Sequence, residues 1–356
     1  MVADEELKAI ADAESTPPSE PSAHISSGLE NDLANLHLQD GSDSSFFSIH
    51  TSSAPGLQNG KGAFASRDIQ RGDLILSEKP IFTIPHNAPQ PRRQTYIEAA
   101  VRKLSPTNLD NYLSLQNSHN MCSCSLRPLP GIFHTNVFGV ADSGGICLKA
   151  SRFNHSCSPN ARFTFNSNTG ELRIYALGTI PHGEEIFVGY IDNDLLGKPL
   201  YGSPRLLRLA TLHNHLHFTC ECSACSLSEA EAKRSDARRD RVYEIMQSFR
   251  GLTLGKMSLT QGVQILNDIV EAIHLLQEEG YLADADDFTN EAGPICAFHS
   301  DWVSSKYWAD LTYHTRVAEF GEDSSQTAEV RKEYLDPKSF PYAGLGPRRD
   351  LTGIRV

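Results

Sequence analysis

The chain has 356 residues, 39% of them hydrophobic and 21% charged, enough for two modest domains with a buried core. Its formal net charge is −12, yet residues 1–45 hold ten Asp or Glu against the single Lys8, so the remainder carries only −3. A part so close to neutral lacks the basic face of a domain that grips phosphates, so no direct nucleic-acid binding is expected and a protein or peptide substrate fits better. No run approaches the length of an apolar membrane span, and the N-terminus is acidic where a signal peptide is basic and then apolar. No membrane association is expected; an intracellular protein, nuclear or cytoplasmic, is.

In chain order, residues 1–45 are rich in Ser, Pro, Glu and Asp and read as a disordered acidic tail. Within it, Leu29, Leu33, Leu36 and Leu38 have a weak helical spacing. From Phe46 short apolar runs broken by glycine read as strands, continuing to about residue 86. Residues 87–130 form an insertion, helical or looped, with Tyr96, Ala99, Ala100 and Leu104 as its apolar stripe. Short strands resume from Gly131, most clearly at 161–166 and 171–177, with a turn at 167–170 between them.

After Cys225 the character turns helical. Over 229–249, Val242, Ile245, Met246 and Phe249 recur every three or four residues. Over 258–280, Val263, Leu266, Ile269, Val270, Ile273 and Leu276 make one face, with Ser258 or Thr260 as N-cap and Gly280 as C-cap. A third helix starts near Pro294 and reaches about Phe320. The run Lys233, Arg234, Arg238, Arg239 and Arg241 reads as the solvated face of the first helix; a weaker reading makes it a nucleic-acid contact. The expected fold class is α+β, with short sheets over 46–226 followed by a helical C-terminal domain over 227–356.

The eight cysteines are Cys122, Cys124, Cys147, Cys157, Cys220, Cys222, Cys225 and Cys296. Clustered cysteines in an intracellular chain suggest metal before disulfide. The C-x-C-x2-C of Cys220, Cys222 and Cys225 lets three thiolates from one tight turn converge on a tetrahedral Zn²⁺, which then lacks one ligand. Cys157, in a compact polar loop before Pro159, is the best candidate for the fourth; His213, His215 and His217 compete. Cys122 and Cys124 supply only two ligands and read as ordinary buried residues. Cys147 and Cys296 are lone cysteines.

Four segments occur in an informative order: Asn59-Gly60-Lys61-Gly62-Ala63-Phe64-Ala65, Arg152-Phe153-Asn154-His155-Ser156-Cys157-Ser158-Pro159-Asn160, Gly183-Glu184-Glu185-Ile186-Phe187-Val188-Gly189-Tyr190, and Phe218-Thr219-Cys220-Glu221-Cys222-Ser223-Ala224-Cys225. Together they resemble the SET domain of protein lysine methyltransferases. The likeness is greatest to the branch that holds the SET and MYND-domain proteins and their fungal relatives, and it covers about residues 46–226. It implies a β-fold of short sheets with a pseudoknot and a post-SET zinc cluster. It also implies transfer of a methyl group from S-adenosylmethionine to a lysine of a histone or non-histone protein.

Carried over on these motifs, Asn59, Gly60, Lys61, Asn154, His155, Tyr190 and Phe218 contact the cofactor. Tyr190 is the catalytic residue, Phe218 walls the lysine channel, and Cys157, Cys220, Cys222 and Cys225 hold one structural zinc. Glycine at 60 and 62 permits close backbone approach. Gly189 stands where many SET domains have Asp. Residues 66–150 offer only Cys122, Cys124 and Cys147, so the MYND zinc module is not expected. The competing reading is a catalytically inactive SET module that acts as an interaction scaffold.

Overall fold

The computed structural model describes residues 46–52, 60–89, 92–120, 126–191, 193–249, 254 and 257–356. The tail, Asn59, Cys122 and Cys124 lie outside them.

Strands β1 (Phe47–Thr51) and β2 (Lys61–Ala65) form an antiparallel pair. A three-stranded sheet has β3 (Leu74–Glu78) beside β9 (Glu171–Ala176), which pairs in turn with β8 (Ala161–Asn166). A second such sheet places β6 (Ser143–Ile146) between β4 (Phe82–Pro85) and β5 (Val137–Val140). The two-residue strands β7 (Asn154–His155) and β10 (Phe187–Val188) run parallel.

The β8–β9 hairpin falls where the alternation placed it. Its loop closes by a bond from the Gly170 N–H to the Asn166 carbonyl, and Gly170 has φ +70°, open to glycine without steric cost. The Asn166 side chain accepts the next two free amides, of Asn168 and Thr169.

The insertion packs α1 (Arg92–Val101), α2 (Pro106–Leu113) and α3 (Pro128–Asn136) around Ile97, Tyr112 and Phe133. Two expectations fail here. Of the expected stripe, Ala100 and Leu104 pack on this core, whereas Tyr96 and Ala99 are exposed and the fully buried residues of α1 are Ile97 and Val101, one position on. Gly131 lies within α3 and the strands resume only at Val137; Pro128 at the first helical turn supplies a helix start that the glycine obscured.

Two short helices, α4 (Asn193–Leu196) and α5 (Arg205–Thr211), lead to the long helices α6 (Glu229–Phe249), α7 (Leu259–Glu278), α8 (Asp286–Phe298), α9 (Trp302–Phe320) and α10 (Ser325–Leu335). Ser258 caps α7 in a complete capping box with Gln261, and Gly280 follows the helix in the left-handed region. Val263 and Val270 are only half-buried, the core face being Leu266, Ile269, Ile273 and Leu276. The single helix expected from Pro294 to Phe320 is two, α8 and α9. Pro294 sits inside α8, and the break comes at Ser300, which has φ +58°.

The expected solvated basic face of α6 holds for Lys233 and Arg234, which are exposed, and is corrected for the rest. Arg239 is fully buried and pairs with Glu279, as does Arg238; Arg241 bridges to Asp268 and Glu271. Glu279 ends α7, so these pairs clamp two helices together. Arg239 also donates to the Ser158 hydroxyl, tying the helices to the 154–160 segment. Arg162 of β8 lies between Asp284 and the fully buried Glu319 of α9. Among the described residues no helix is long and apolar enough to cross a membrane.

Candidate active site and thiolate cluster

The 154–160 segment is held from both ends. Before it, the Glu78 carboxylate accepts the Lys149 and Ala150 amides, fixing the turn that feeds Phe153. After it, the Asn160 side chain donates to the Glu185 carbonyl and accepts the Phe187 amide, a two-way bridge that a carboxamide makes with its two ends. Residues 183–186 bond along β2, through Ala65 N–H to Glu184 O and Ile186 N–H to Ala63 O, before pairing with β7. Three segments distant in sequence therefore meet.

At their junction the Asn154 amide donates to the Lys61 carbonyl (3.1 Å) and to Glu185 Oε1 (2.6 Å). Glu185 Oε2 accepts from the Ser52 hydroxyl at 2.8 Å, and Ser52 N–H bonds to the Gly60 carbonyl. The Glu185 carboxylate thus ties the end of β1, the 60–62 turn and Asn154 together. Glu185 lies within the G-E-E-I motif, but no role was read for its side chain from the sequence; the available signal was a second acid in a segment where one suffices for a turn.

Tyr190 is attached at two points. Its hydroxyl donates to the Phe153 carbonyl (2.6 Å), and its backbone N–H donates to His155 Nδ1 (2.9 Å). The ring, 36% exposed, lies 5.3 Å from the His155 ring and 6.3 Å from Phe218, which is half-buried. The site's crowding pushes the Tyr190 phenol well above its ordinary range, burial being the main cause and the charge of Glu185 the second. At neutral pH it is a donor, not a base. Burial lowers His155 to about 4, so its imidazole is neutral. Lys61 is exposed at the mouth of the turn.

The Cys157, Cys220, Cys222 and Cys225 sulfurs all lie within 4.8 Å of one another, Cys157 and Cys225 at 3.6 Å. Two zinc–sulfur bonds of about 2.3 Å at a tetrahedral angle separate their sulfurs by nearly that distance. Packing alone does not account for four thiols so close, whereas a soft cation does. His217, one of the competing fourth ligands, instead packs its ring 4.6 Å from His119.

A buried cation stands beside the cluster. The Arg208 guanidinium is fully buried and donates to the Ser203 and Ala224 carbonyls. Burial works against its charge, but the neighbouring Cys157 and Cys225 outweigh this and raise its pKa. Cys147 and Cys296 are buried, and burial raises both thiols.

Two cavities are lined by other residues, one of about 300 Å³ between α8, α9 and α10 and one of about 390 Å³ along β1 and β2 that reaches Gly183. Beside Gly62 the space is taken by Glu185 and Asn154.

The pattern of the SET domain family matches residues 60–191, the span that contains the turn, β7, β10 and Tyr190. The chain is similar to histone-lysine N-methyltransferase set5 of Schizosaccharomyces pombe, 27% identical over 287 residues, with 80% of this chain and 83% of the relative covered. It is also similar to protein-lysine N-trimethyltransferase SMYD5 of Danio rerio, 36% identical over 91 residues, but there it spans only 21% of the relative and 26% of itself. The solved SET domain of LSMT bound to lysine and AdoHcy aligns over 91% of this chain and 95% of its own, at 11% identity and a TM-score of 0.34.

Proposed function

We propose that the chain is an S-adenosylmethionine-dependent protein-lysine N-methyltransferase, acting on a histone or non-histone protein and carrying one structural zinc. The observation that carries this reading is the meeting of Lys61, Asn154, His155 and Tyr190 through hydrogen bonds in one place, with the Phe218 ring alongside. Residues 46–226 are the SET domain with its cysteine cluster, and 227–356 a helical domain behind it.

The residues present fit the cofactor. Backbone at Gly60 carries no side chain, the Asn154 side-chain oxygen and the His155 backbone would supply polar contacts, and Lys61 is exposed beside the turn; Asn59 is carried over on the motif alone. The bound cofactor supplies an electrophilic methyl group on a sulfonium. The chain's own part is to bring a lysine amine to it uncharged and aligned. A lysine titrates near about 10.4 in water, and entry into a narrow aromatic channel disfavours its ammonium by desolvation. Tyr190, protonated and held by Phe153, orients the amine, and Phe218 limits the channel's width. Such alignment accounts for several kcal/mol of a displacement barrier, about 7 or more in favourable cases.

Cys157, Cys220, Cys222 and Cys225 would hold zinc with all four positions filled, a structural site with no open position. It fixes the segment that carries Phe218 against the loop that carries His155.

The test is transfer of tritiated methyl from S-adenosylmethionine to a protein library by the full chain and by Tyr190→Phe. The expected result is labelled lysine with the wild type and a loss of about 100-fold with the variant. Absence of label and of cofactor binding in the wild type leaves the scaffold reading.

A further inference from the structure

The methyl-transfer reading gives His155 a role through its backbone. Its imidazole has a separate connection. Strand β10 ends at Val188, so the Tyr190 N–H has left the β7 ladder, and it is the ring's Nδ1 that accepts it, at 2.9 Å. An N–H cannot be accepted by a protonated nitrogen, so Nδ1 carries no proton and the ring's N–H is at Nε2. That nitrogen lies 3.3 Å from Cys157 Sγ. One ring therefore donates to a thiolate of the cysteine cluster and accepts from the backbone of Tyr190. Since the Tyr190 hydroxyl is held by the carbonyl of Phe153, both ends of the tyrosine are fixed by the segment that leads into Cys157.

We propose that the His155 imidazole is a positioning residue, a strut through which the thiolate cluster sets where Tyr190 stands. The proposal rests on the methyltransferase reading for its consequence in catalysis, but not for the strut itself. Partners outside the ligand shell commonly change metal affinity or activity by about 10- to 100-fold. Here the same side chain serves metal and active site, so a loosened cluster frees the ring, and a freed ring leaves the Tyr190 amide without its acceptor.

Two substitutions separate the ring's two bonds. Asparagine places a carboxamide near Nδ1, able to accept the Tyr190 N–H but too short to reach Cys157. Glutamine places a donor near Nε2, able to reach the sulfur but without the near acceptor. The zinc-loaded full chain, His155→Asn and His155→Gln are compared in three readouts: zinc release to a chromogenic chelator, hydrogen exchange of the peptide that contains Tyr190, and kcat against KM for a methylated substrate.

The expected result is inverted ranking. His155→Asn releases zinc about tenfold faster than His155→Gln, whereas His155→Gln exchanges the Tyr190 amide faster and has the lower kcat, its KM for the peptide changing less. If both variants lose zinc and amide protection together and in the same order, the ring is only a packing element and the proposal is overturned. Inverted release and exchange with no methyl transfer by the wild type would uphold the strut and refute the enzymatic reading.

Discussion

Gly62 and Glu185 are in such close contact that a Cβ built at residue 62 would fall inside the Glu185 Oε1 atom. The only relief is movement of the carboxylate, and that carboxylate is what Asn154 and Ser52 hold. Gly62→Ala is therefore expected to displace Glu185 and open the junction. Cofactor affinity measured by calorimetry should fall about tenfold or more, while stability falls by about 1–3 kcal/mol, the usual cost of overpacking. Unchanged affinity would mean that the 60–62 turn lies outside the cofactor's reach.

Cys222→Ser should remove the zinc and the fold's junction together. Metal analysis of the wild type is expected to give one zinc per chain and of the variant none. Thermal unfolding should move to markedly lower temperature, because binding energy of a structural zinc is folding energy. A wild type isolated without zinc and stable in strong chelator would contradict the assignment of the cluster.

The Arg162 network predicts a pH dependence of stability away from the active site. Glu319 is raised from its ordinary 4.5 to about 8, by burial first, against the pull of Arg162, with Asp286 and Asp284 adding to the rise. The folded chain keeps a proton there that the unfolded chain releases above about 4.5. Stability therefore declines as pH rises from 4.5 to 8 and levels off beyond. Asp287, raised to about 7 mainly by burial, acts in the same direction. Melting temperatures at pH 6 and 8.5 should differ less in Glu319→Gln than in the wild type. An identical slope in both would show that Glu319 does not hold the proton.

Ser258→Ala breaks the capping box of α7, in which Ser258 and Gln261 each accept the other's backbone amide. The expected cost is about 1 kcal/mol in chemical denaturation, with zinc content unchanged. No measurable cost would mean that α7 is held by packing alone.

What could be read in advance was what local pattern and motif encode. The β8–β9 hairpin follows from alternation on either side of a turn ending in Gly170, and the start of α7 falls at Ser258, one of the two N-cap candidates. The cysteine spacing pointed to metal, and Cys157 was the ligand candidate that the fold brings to the other three.

The misses have physical causes. Tyr96 and Ile97 are neighbours, and a helical stripe displaced by one position changes which of them is buried; only tertiary packing decides. Arg239 looks in sequence like one charge in a basic run, and nothing local reveals that Glu279, forty residues on, waits to pair with it. The break between α8 and α9 falls at Ser300, a residue without the usual glycine signature. The Glu185 carboxylate was invisible as a hub because its partners, Ser52 and Asn154, come from two other segments.

The most direct test of the account is calorimetric titration of S-adenosylmethionine into the zinc-loaded full chain, alongside Asn154→Ala. The account predicts one binding site in the wild type and affinity at least about tenfold weaker in the variant, whose amide no longer links Lys61 to Glu185. No heat of binding with the wild type, or equal affinity in both, would contradict it.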